Sequence, residues 1–358
     1  MKKNYFMLAA ATMMFAACAE TDLLNEVNME EAPKAIEFET FAQKATRAEI
    51  TNSTLQTVGF QVWGYKYPSN ATIVWEDVYT EVIDETTGET KLDSEGKPVT
   101  EVTTPANIYP VFEEVAVTYS NSTWGYTDKQ YWDQASNYKF YAIAPQKSKD
   151  FYGFSKGKFT VSNVESKKAT ESDDYVIAAE VTKVGKNKEE VEFTFSHIMS
   201  KLSFILKAGV DETISVTSLT MSGWNSGKGT FTEGNEDGEW KITTTANDGC
   251  PIIDTGNNTN AAAITKSSSS VVGYEYIMVP QAIAKETLKF NITYTIDGET
   301  FTQEALVETA QTWAKNTHYT YTITISPAAI EFGVQAVNGW TVEKNNDGTN
   351  KEYPVSVN

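Results

Sequence analysis

The chain has 358 residues, of which 41% are hydrophobic and 22% charged, and its formal net charge is −19. This length suffices for two ordinary domains, and the apolar content is that of a folded protein. The excess of 48 acidic over 29 basic residues excludes nucleic-acid binding through a basic face. It also leaves membrane contact only to a covalent anchor or an inserted segment. With two cysteines and two histidines, a disulfide framework is excluded and a multi-histidine or cysteine-rich zinc site is disfavoured.

The first seventeen residues have the pattern of an export signal. Lys2 and Lys3 precede the almost wholly apolar run Tyr5–Ala17, whose thirteen residues are too few for a bilayer span of about 20. Small residues then lead to Cys18, as in a bacterial lipoprotein signal, which this segment resembles. On that interpretation Cys18 becomes the lipidated first residue. The alternative is an ordinary signal peptide with an incidental cysteine.

A polar leader follows over residues 18–47. Within it, residues 35–41 alternate so that Ile36 and Phe38 share one side and glutamates occupy the other, which predicts a short half-buried strand. The leader ends at Arg47, the only arginine in the chain, and Ala48 follows it.

The first half of the chain, over residues 48–188, alternates as strands do and carries turn residues between the runs. Residues 80–104 are polar and acidic, which predicts a protruding hairpin or loop insertion with little core. Charged residues 183–190, with Gly185 among them, predict a linker between domains. The strands predicted here lie at 58–62, 73–75, 115–119, 138–143 and 175–178.

The second half, over residues 189–326, has the same character. Apolar residues fall on odd positions in 191–197 and on even positions in 202–206, so a bulge or break is expected near Met199–Lys201. Residues 246–270 are polar in bulk and predict a long surface loop. Further strands are predicted at 214–222, 228–233, 239–244, 274–279, 287–296, 300–307 and 318–326. Because no segment has a sustained helical period, an all-β fold of two sandwiches is expected, with a single large barrel as the alternative.

The residue patterns predict no catalytic, cofactor or metal site. His197 and His318 both fall in alternating strand sequence, which favours structural roles over general-base catalysis. Residues 233–238 imitate the start of a calcium loop, but Thr244 stands where the bidentate glutamate would be needed. An enzyme is therefore the class of protein that the sequence supports least.

Several phrases in order resemble one family, the fimbrillins, which are two-domain subunits of type V pili on gut and oral Gram-negative bacteria. Each phrase is weak alone, but the ordered set spans about residues 18 to 342. After the lipoprotein start, the phrases are Thr46–Ala48, Val58–Val62, Tyr131–Trp132, Tyr138–Pro145, Phe195–Leu202, Val279–Gln281 and Lys315–Tyr321.

The resemblance implies two transthyretin-like Greek-key β-sandwiches in tandem and export to the outer membrane as a lipoprotein. It implies that an arginine-specific protease removes the leader after Arg47, so that the mature protein starts at Ala48. It implies polymerisation by donor-strand exchange with other fimbrial subunits, either identical or paralogous. A single arginine before the folded region gives such a protease one cleavage site. The alternative is that the genome favours lysine and the one arginine falls at this position by chance.

The C-terminal segment 327–358 is the predicted donor. Pro327–Phe332 matches Pro33–Phe38 of the leader at five of six positions, and Ile330, Phe332 and Val334 alternate as Ile36 and Phe38 do. The match has chance similarity between two strands as its alternative. Residues 352–357, with Tyr353, Val355 and Val357, are a second candidate donor.

Two functions follow from these expectations. The first is a structural subunit of a cell-surface fimbria that supports adhesion. The second is a surface lipoprotein that binds a host glycan or protein without polymerising. Trp124, Tyr126 and Trp132 could then stack on sugar, although aromatic residues in β-sandwiches are more often core.

Overall fold

The chain is built almost entirely from β-strands. The computed structural model describes residues 33–42, 52–146, 152–172, 174–234, 238–245, 249–256 and 261–338. Cys18, Arg47, Ala48 and the second candidate donor at 352–357 lie outside these residues. Within the described parts, the all-β fold expected from the alternating sequence is confirmed.

The elements are as follows. The first half contains β1 (Phe38–Ala42), α1 (Asn52–Val58), β2 (Phe60–Pro68), β3 (Val78–Glu81), β4 (Thr100–Thr104), β5 (Tyr109–Ser120), β6 (Thr123–Gly125), β7 (Ser136–Ala144), β8 (Tyr152–Ser155), β9 (Lys158–Val164), β10 (Lys167–Lys168), β11 (Val176–Ala178), β12 (Val181–Val184) and a 3-10 turn (Gly185–Asn187). The second half contains β13 (Val191–His197), β14 (Ser200–Ala208), β15 (Ile214–Ser222), β16 (Gly229–Gly234), β17 (Glu239–Ile242), β18 (Cys250–Asp254), β19 (Ala262–Ile264), β20 (Tyr276–Met278), β21 (Gln281–Ile283), β22 (Lys289–Ile296), β23 (Glu299–Leu306), β24 (Gln311–Trp313), β25 (Thr317–Ile325) and β26 (Ile330–Asn338).

Most strands of the first half lie in one eight-stranded sheet, which also contains β13. Its order is β1-β13-β11-β7-β2-β5-β6, with β12 also paired to β7. Every second residue of its strands points to one apolar core, because side chains alternate between the faces of a sheet. That core is largely aromatic, and Phe60, Phe112, Phe140 and Phe193 are at most 1% exposed.

A sandwich of two further sheets forms most of the second half. One sheet has the order β10-β20-β14-β25-β26, and the other has the order β18-β15-β22-β23 with β19 also on β15. The core between them holds Leu202 and Phe204 from the first sheet and Leu219 and Phe290 from the second, all fully buried. This packing is that of a β-sandwich, and the tandem Greek-key arrangement remains a prediction.

A third apolar core joins the two halves. It lies around a four-stranded sheet in the order β17-β16-β9-β8, so strands from both halves of the sequence pair directly. Tyr141 and Ile143 of the eight-stranded sheet meet Phe231 and Ile277 of the second half there, and each is at most 1% exposed.

The predicted domain boundary between residues 188 and 189 would assign β13 to the C-terminal domain. In the structure β13 lies in the eight-stranded sheet of the first half. β13 pairs with β1 and β11 of the eight-stranded sheet, and the chain passes to the second half between His197 and Ser200. The division into two domains stays a prediction. The expected linker at 183–190 instead forms the end of β12 and a turn whose Gly185 is buried, where a Cβ would meet the Asp133 carbonyl at 2.1 Å.

Two other local expectations were wrong. Residues 73–75, predicted as a strand, form none. A short helix also occupies Asn52–Val58 and overlaps the first residue of the strand predicted at 58–62. Residues 246–270 contain β18 and β19 as well as loops, and Ile252 and Ile253 are fully buried. The polar composition of that long segment concealed four residues that enter the core, namely Cys250, Ile252, Ile253 and Ile264.

Two expectations about interruptions are confirmed. The strand run breaks at Ile198 and Met199, between β13 and β14, where the apolar residues change parity. Residues 78–104 form a hairpin in which β3 and β4 are exposed along their whole length. Because a two-stranded hairpin has no second layer, it buries no core.

A buried histidine predicts acid sensitivity. His318 is 4% exposed, its Nε2 lies 2.6 Å from Ser203 Oγ, and burial beside Lys201 lowers its pKa to about 3. Below about pH 6.5 the unfolded chain binds a proton at His318 that the folded chain does not, so stability falls by about 1.4 kcal/mol per pH unit down to about pH 3.

We therefore expect the wild type to lose about 2 kcal/mol more than His318→Gln between pH 7 and pH 5, measured by urea unfolding. Titrating carboxylates affect both proteins equally, so the difference isolates the histidine. Parallel stability curves for the two proteins would contradict the assignment.

Candidate functional site: the leader groove

The leader strand β1 lies at the edge of the eight-stranded sheet. It runs parallel to β13, and Phe38 is opposite Val191. The Val191 amide donates to the Glu37 carbonyl at 2.9 Å. The sequence predicted this strand from the alternation of Ile36 and Phe38, but pairing with a strand 150 residues away could not be read from that pattern.

Phe38 is the centre of an aromatic cage. Its ring is 4% exposed and lies edge-on to Phe112 at 5.3 Å and to Tyr126 at 5.5 Å, and it stacks on Phe193 at 5.8 Å. Phe60 and Phe140 complete the cage at centroid distances of 6.4 and 6.2 Å. Such aromatic pairs are worth about 0.5–1.5 kcal/mol each beyond the burial of their area.

Ile36 anchors the segment directly before β1. Its side chain is fully buried, its amide donates to the Gln130 carbonyl at 2.9 Å, and its carbonyl accepts from the Tyr126 hydroxyl at 2.7 Å. Burial raises the pKa of Tyr126, so its hydroxyl stays protonated and able to donate. The leader is thus an integral strand of the fold, with its apolar face inside and Glu37 and Glu39 exposed.

We call the channel that holds β1 the leader groove. Its walls are the five cage residues Phe60, Phe112, Tyr126, Phe140 and Phe193, together with the backbone of β13. These receptor residues were not identified from sequence because they come from five separate strands and loops. Alternation shows which face of a strand is apolar, but not which strand that face meets.

A cavity of about 540 Å³ opens beside β1. It is lined by residues 36–40 of the leader on one side and by Tyr119, Trp124 and Tyr126 on the other. Because β1 and β6 lie at opposite ends of the strand path and face the same cavity, the sheet curls around its core.

The predicted donor strand occupies a different sheet. β26 pairs antiparallel with β25 over nine residues and forms the edge of its sheet. Ile330, Phe332 and Val334 are half-buried against the core of the sandwich, and Phe332 lies 5.3 Å from Phe290. The structure does not bring these residues to Ile36 and Phe38, so their role as donor stays a prediction.

The aromatic residues considered as sugar platforms belong to the core. Trp132 is 6% exposed and packs edge-on against Tyr138 at 4.8 Å, and Tyr126 is 9% exposed. Trp124 is half-buried and edge-on to Phe60 at 4.9 Å. These positions support the core interpretation over sugar stacking.

The described residues offer no cluster of three or more His, Cys, Asp or Glu side chains that could hold a metal ion. Cys250 is buried, as the sequence suggested, and burial raises the pKa of its thiol to about 11. No helix in the described parts is long and apolar enough to cross a bilayer.

The fold resembles that of a solved bacterial fimbrial protein. A fimbrial protein from Bacteroides vulgatus ATCC 8482 aligns with a TM-score of 0.54 and 19% identity, over 86% of this chain and 100% of that one. A candidate cell adhesion protein from Bacteroides uniformis ATCC 8492 aligns with a TM-score of 0.45 and 17% identity, over 87% and 99%. No functionally curated protein matches the sequence.

The protein is thus an all-β protein with the fold of a bacterial fimbrial protein. The family model for fimbrillin-like proteins matches residues 85–340, and the chain belongs to that family. The resemblance seen in the ordered sequence phrases is confirmed. Family membership places the chain among the fimbrillin-like proteins.

Proposed function

We propose that the chain is a structural subunit of a cell-surface fimbria, exported as an outer-membrane lipoprotein and polymerised by strand exchange after cleavage at Arg47. One observation carries the proposal. The leader strand is buried in the first core through Ile36 and Phe38, yet the only arginine follows that strand by five residues. Removing residues 18–47 would therefore take an edge strand out of a finished sheet.

Loss of β1 would leave a vacancy that favours a replacement strand. Two buried side chains, Ile36 and Phe38, each worth about 1.5–3 kcal/mol in burial, would leave the leader groove. The free edge of β13 would expose unpaired backbone groups, which are a template for a strand from another chain. Before cleavage the tethered leader occupies the groove at millimolar or higher effective concentration, which excludes a competitor. Cleavage thus acts as the switch for assembly.

The matching sequences define the register of the replacement. If Ile330 takes the place of Ile36, Phe332 enters the aromatic cage in place of Phe38, and Val334 takes the place of Thr40. The donor must first leave β25, and its position at a sheet edge means that only one ladder breaks. Deleting residues 328–358 would also open the second core, so substitutions test the exchange more cleanly than truncation.

Paired cysteines can report the exchange. In the folded subunit Gly333 is opposite Thr322, and a Cβ at Gly333 would lie 3.9 Å from the Thr322 Cβ, a distance that suits a disulfide. In the exchanged register Gly333 takes the place of Glu39, which is opposite the exposed Glu192. Gly333→Cys with Thr322→Cys should therefore form a disulfide within one chain, which holds β26 against β25.

Gly333→Cys with Glu192→Cys should instead give a ladder of covalent oligomers in oxidised, cleaved fibres, visible on non-reducing gels. The Thr322→Cys pair is the matched control, because it should retain the donor in its own sheet and prevent polymerisation. Fibres that form without the Glu192–Gly333 cross-link would refute this register, and fibres from the locked control would refute donation by β26.

The lipid anchor rests on Cys18. A net charge of −19 disfavours contact with an anionic membrane, and stable anchoring needs two or more acyl chains. A fatty-acid probe fed to expressing cells should label the wild type and should not label Cys18→Ala. Equal labelling of the two proteins would end the lipoprotein assignment.

A further inference from the structure

The cavity beside β1 is open while the leader is still in place. It lies between β1 and β6, the two ends of the strand path, and β13 and β5 are the respective partners of those strands. Each end strand therefore keeps one edge without a strand partner among the described residues, and both of these edges border the cavity. The volume of about 540 Å³ lies within the range of about 300–1,000 Å³ typical of binding sites.

The backbone of β1 presents bonding groups to this space. The Glu37 carbonyl bonds to β13, and because bonding direction alternates along a strand, the amide and carbonyl groups of Phe38 and Thr40 point to the opposite edge. The Ile36 groups at that edge already bond to Gln130 and Tyr126. An added strand can therefore pair with β1 beyond Ile36.

The backbone of β6 presents similar groups. A two-residue turn at Asn121 and Ser122, with φ of 51° and 63°, makes Ser120 and Thr123 the closing pair of the hairpin. Trp124 is the next residue along β6, so its amide and carbonyl point away from β5, because bonded and non-bonded pairs alternate in an antiparallel hairpin.

The lining selects the chemistry of the occupant. Tyr119 and Trp124 offer apolar surface, while Glu37, Glu39 and Glu190 contribute negative charge against a single lysine, Lys129. Lys129 Nζ already lies 4.6 Å from the centroid of the Tyr126 ring. A suitable segment is extended, carries alternating apolar side chains and has no net negative charge.

We propose that the cavity binds residues 352–357 of a second copy before the leader leaves. In that segment Tyr353, Val355 and Val357 alternate, and Lys351, which directly precedes the segment, balances the charge of its one acid, Glu352. Twenty residues follow Asn338, a length that spans about 66 Å at roughly 3.3 Å per extended residue. Pro354 lacks an amide hydrogen, which a strand added at an open edge tolerates.

This inference rests on the proposed function and adds an order of events to it. Docking of 352–357 would hold residues 330–334 of the same incoming copy close to the leader groove. The second binding event then becomes intramolecular, and its effective concentration rises to the millimolar range. The two candidate donors thus act in succession: the tail end docks, and β26 replaces the leader.

Direct binding tests the cavity. A synthetic peptide of residues 349–358 is titrated by calorimetry into full-length, uncleaved protein carrying Arg47→Ala. We expect saturable binding that is lost when the tyrosine and both valines of the peptide are replaced by serine. Gln56 and Thr57 are exposed neighbours on α1, and only Gln56 lines the cavity. Gln56→Trp should weaken binding at least tenfold, whereas the matched control Thr57→Trp should leave it unchanged.

Absence of binding, or equal binding to the two tryptophan variants, would overturn the proposal. Equal competition by a peptide of residues 327–338 would overturn the order of events, since the cavity would then accept the exchange strand itself. The Gly333→Cys and Glu192→Cys cross-link uses cleaved protein without peptide. Failure of the cavity and failure of strand exchange are therefore seen in separate experiments.

Discussion

Phe38→Ala is expected to lower the free energy of unfolding of the uncleaved protein by about 3–5 kcal/mol. The ring is 4% exposed and contacts five aromatic side chains, so its removal leaves a cavity where four strands and the 126–130 loop converge. Urea unfolding followed by aromatic fluorescence measures the change. The effect should be confined to the first half, because the core of the sandwich contains no leader residue.

Glu39→Ala is the matched control for this substitution. Glu39 lies next to Phe38 in the same strand but is exposed, so its removal should change stability by no more than about 0.5 kcal/mol. A Phe38→Ala protein as stable as the control would show that the leader does not support the fold. The same two variants also test leader release. After cleavage, the leader of Phe38→Ala should leave the groove sooner than the leader of Glu39→Ala.

Arg47→Ala is expected to abolish both leader removal and fibre formation. An arginine-specific pocket pairs bidentately with a planar guanidinium, and neither alanine nor lysine reproduces that geometry. The uncut leader would remain tethered in its groove at an effective concentration that no incoming strand can match. N-terminal sequencing of the extracted protein and immunogold microscopy of intact cells measure the two outcomes.

Arg47→Lys provides the sharper control. The chain has 28 other basic side chains, all lysine, so a protease that accepted lysine would not depend on this position. We expect Arg47→Lys to retain the leader nearly as fully as Arg47→Ala. Wild-type fibres whose subunits still begin at Cys18, or normal fibres from Arg47→Ala, would contradict cleavage as the switch.

The sequence alone determined the local character of the chain. Period-two alternation identified the all-β fold and the inward side of the leader, because successive residues of a strand point to opposite faces. The parity change after His197 located the break between β13 and β14, and the acidic, coreless stretch at 80–104 marked the exposed hairpin. Each of these features depends on residues that are close to one another in the sequence.

The tertiary structure decided which strands meet. The sequence placed β13 at the start of the second half, yet β13 pairs with the leader strand β1. β26 pairs with β25 and does not lie beside β1. The aromatic cage around Phe38 draws on residues from Phe60 to Phe193, and the cavity exists only because the sheet brings β1 and β6 close together. Alternation shows that a strand has an apolar face, but many strands of this chain have such a face and could pack against it. The choice among them is made by packing shape and chain connectivity, which act across the whole sequence at once.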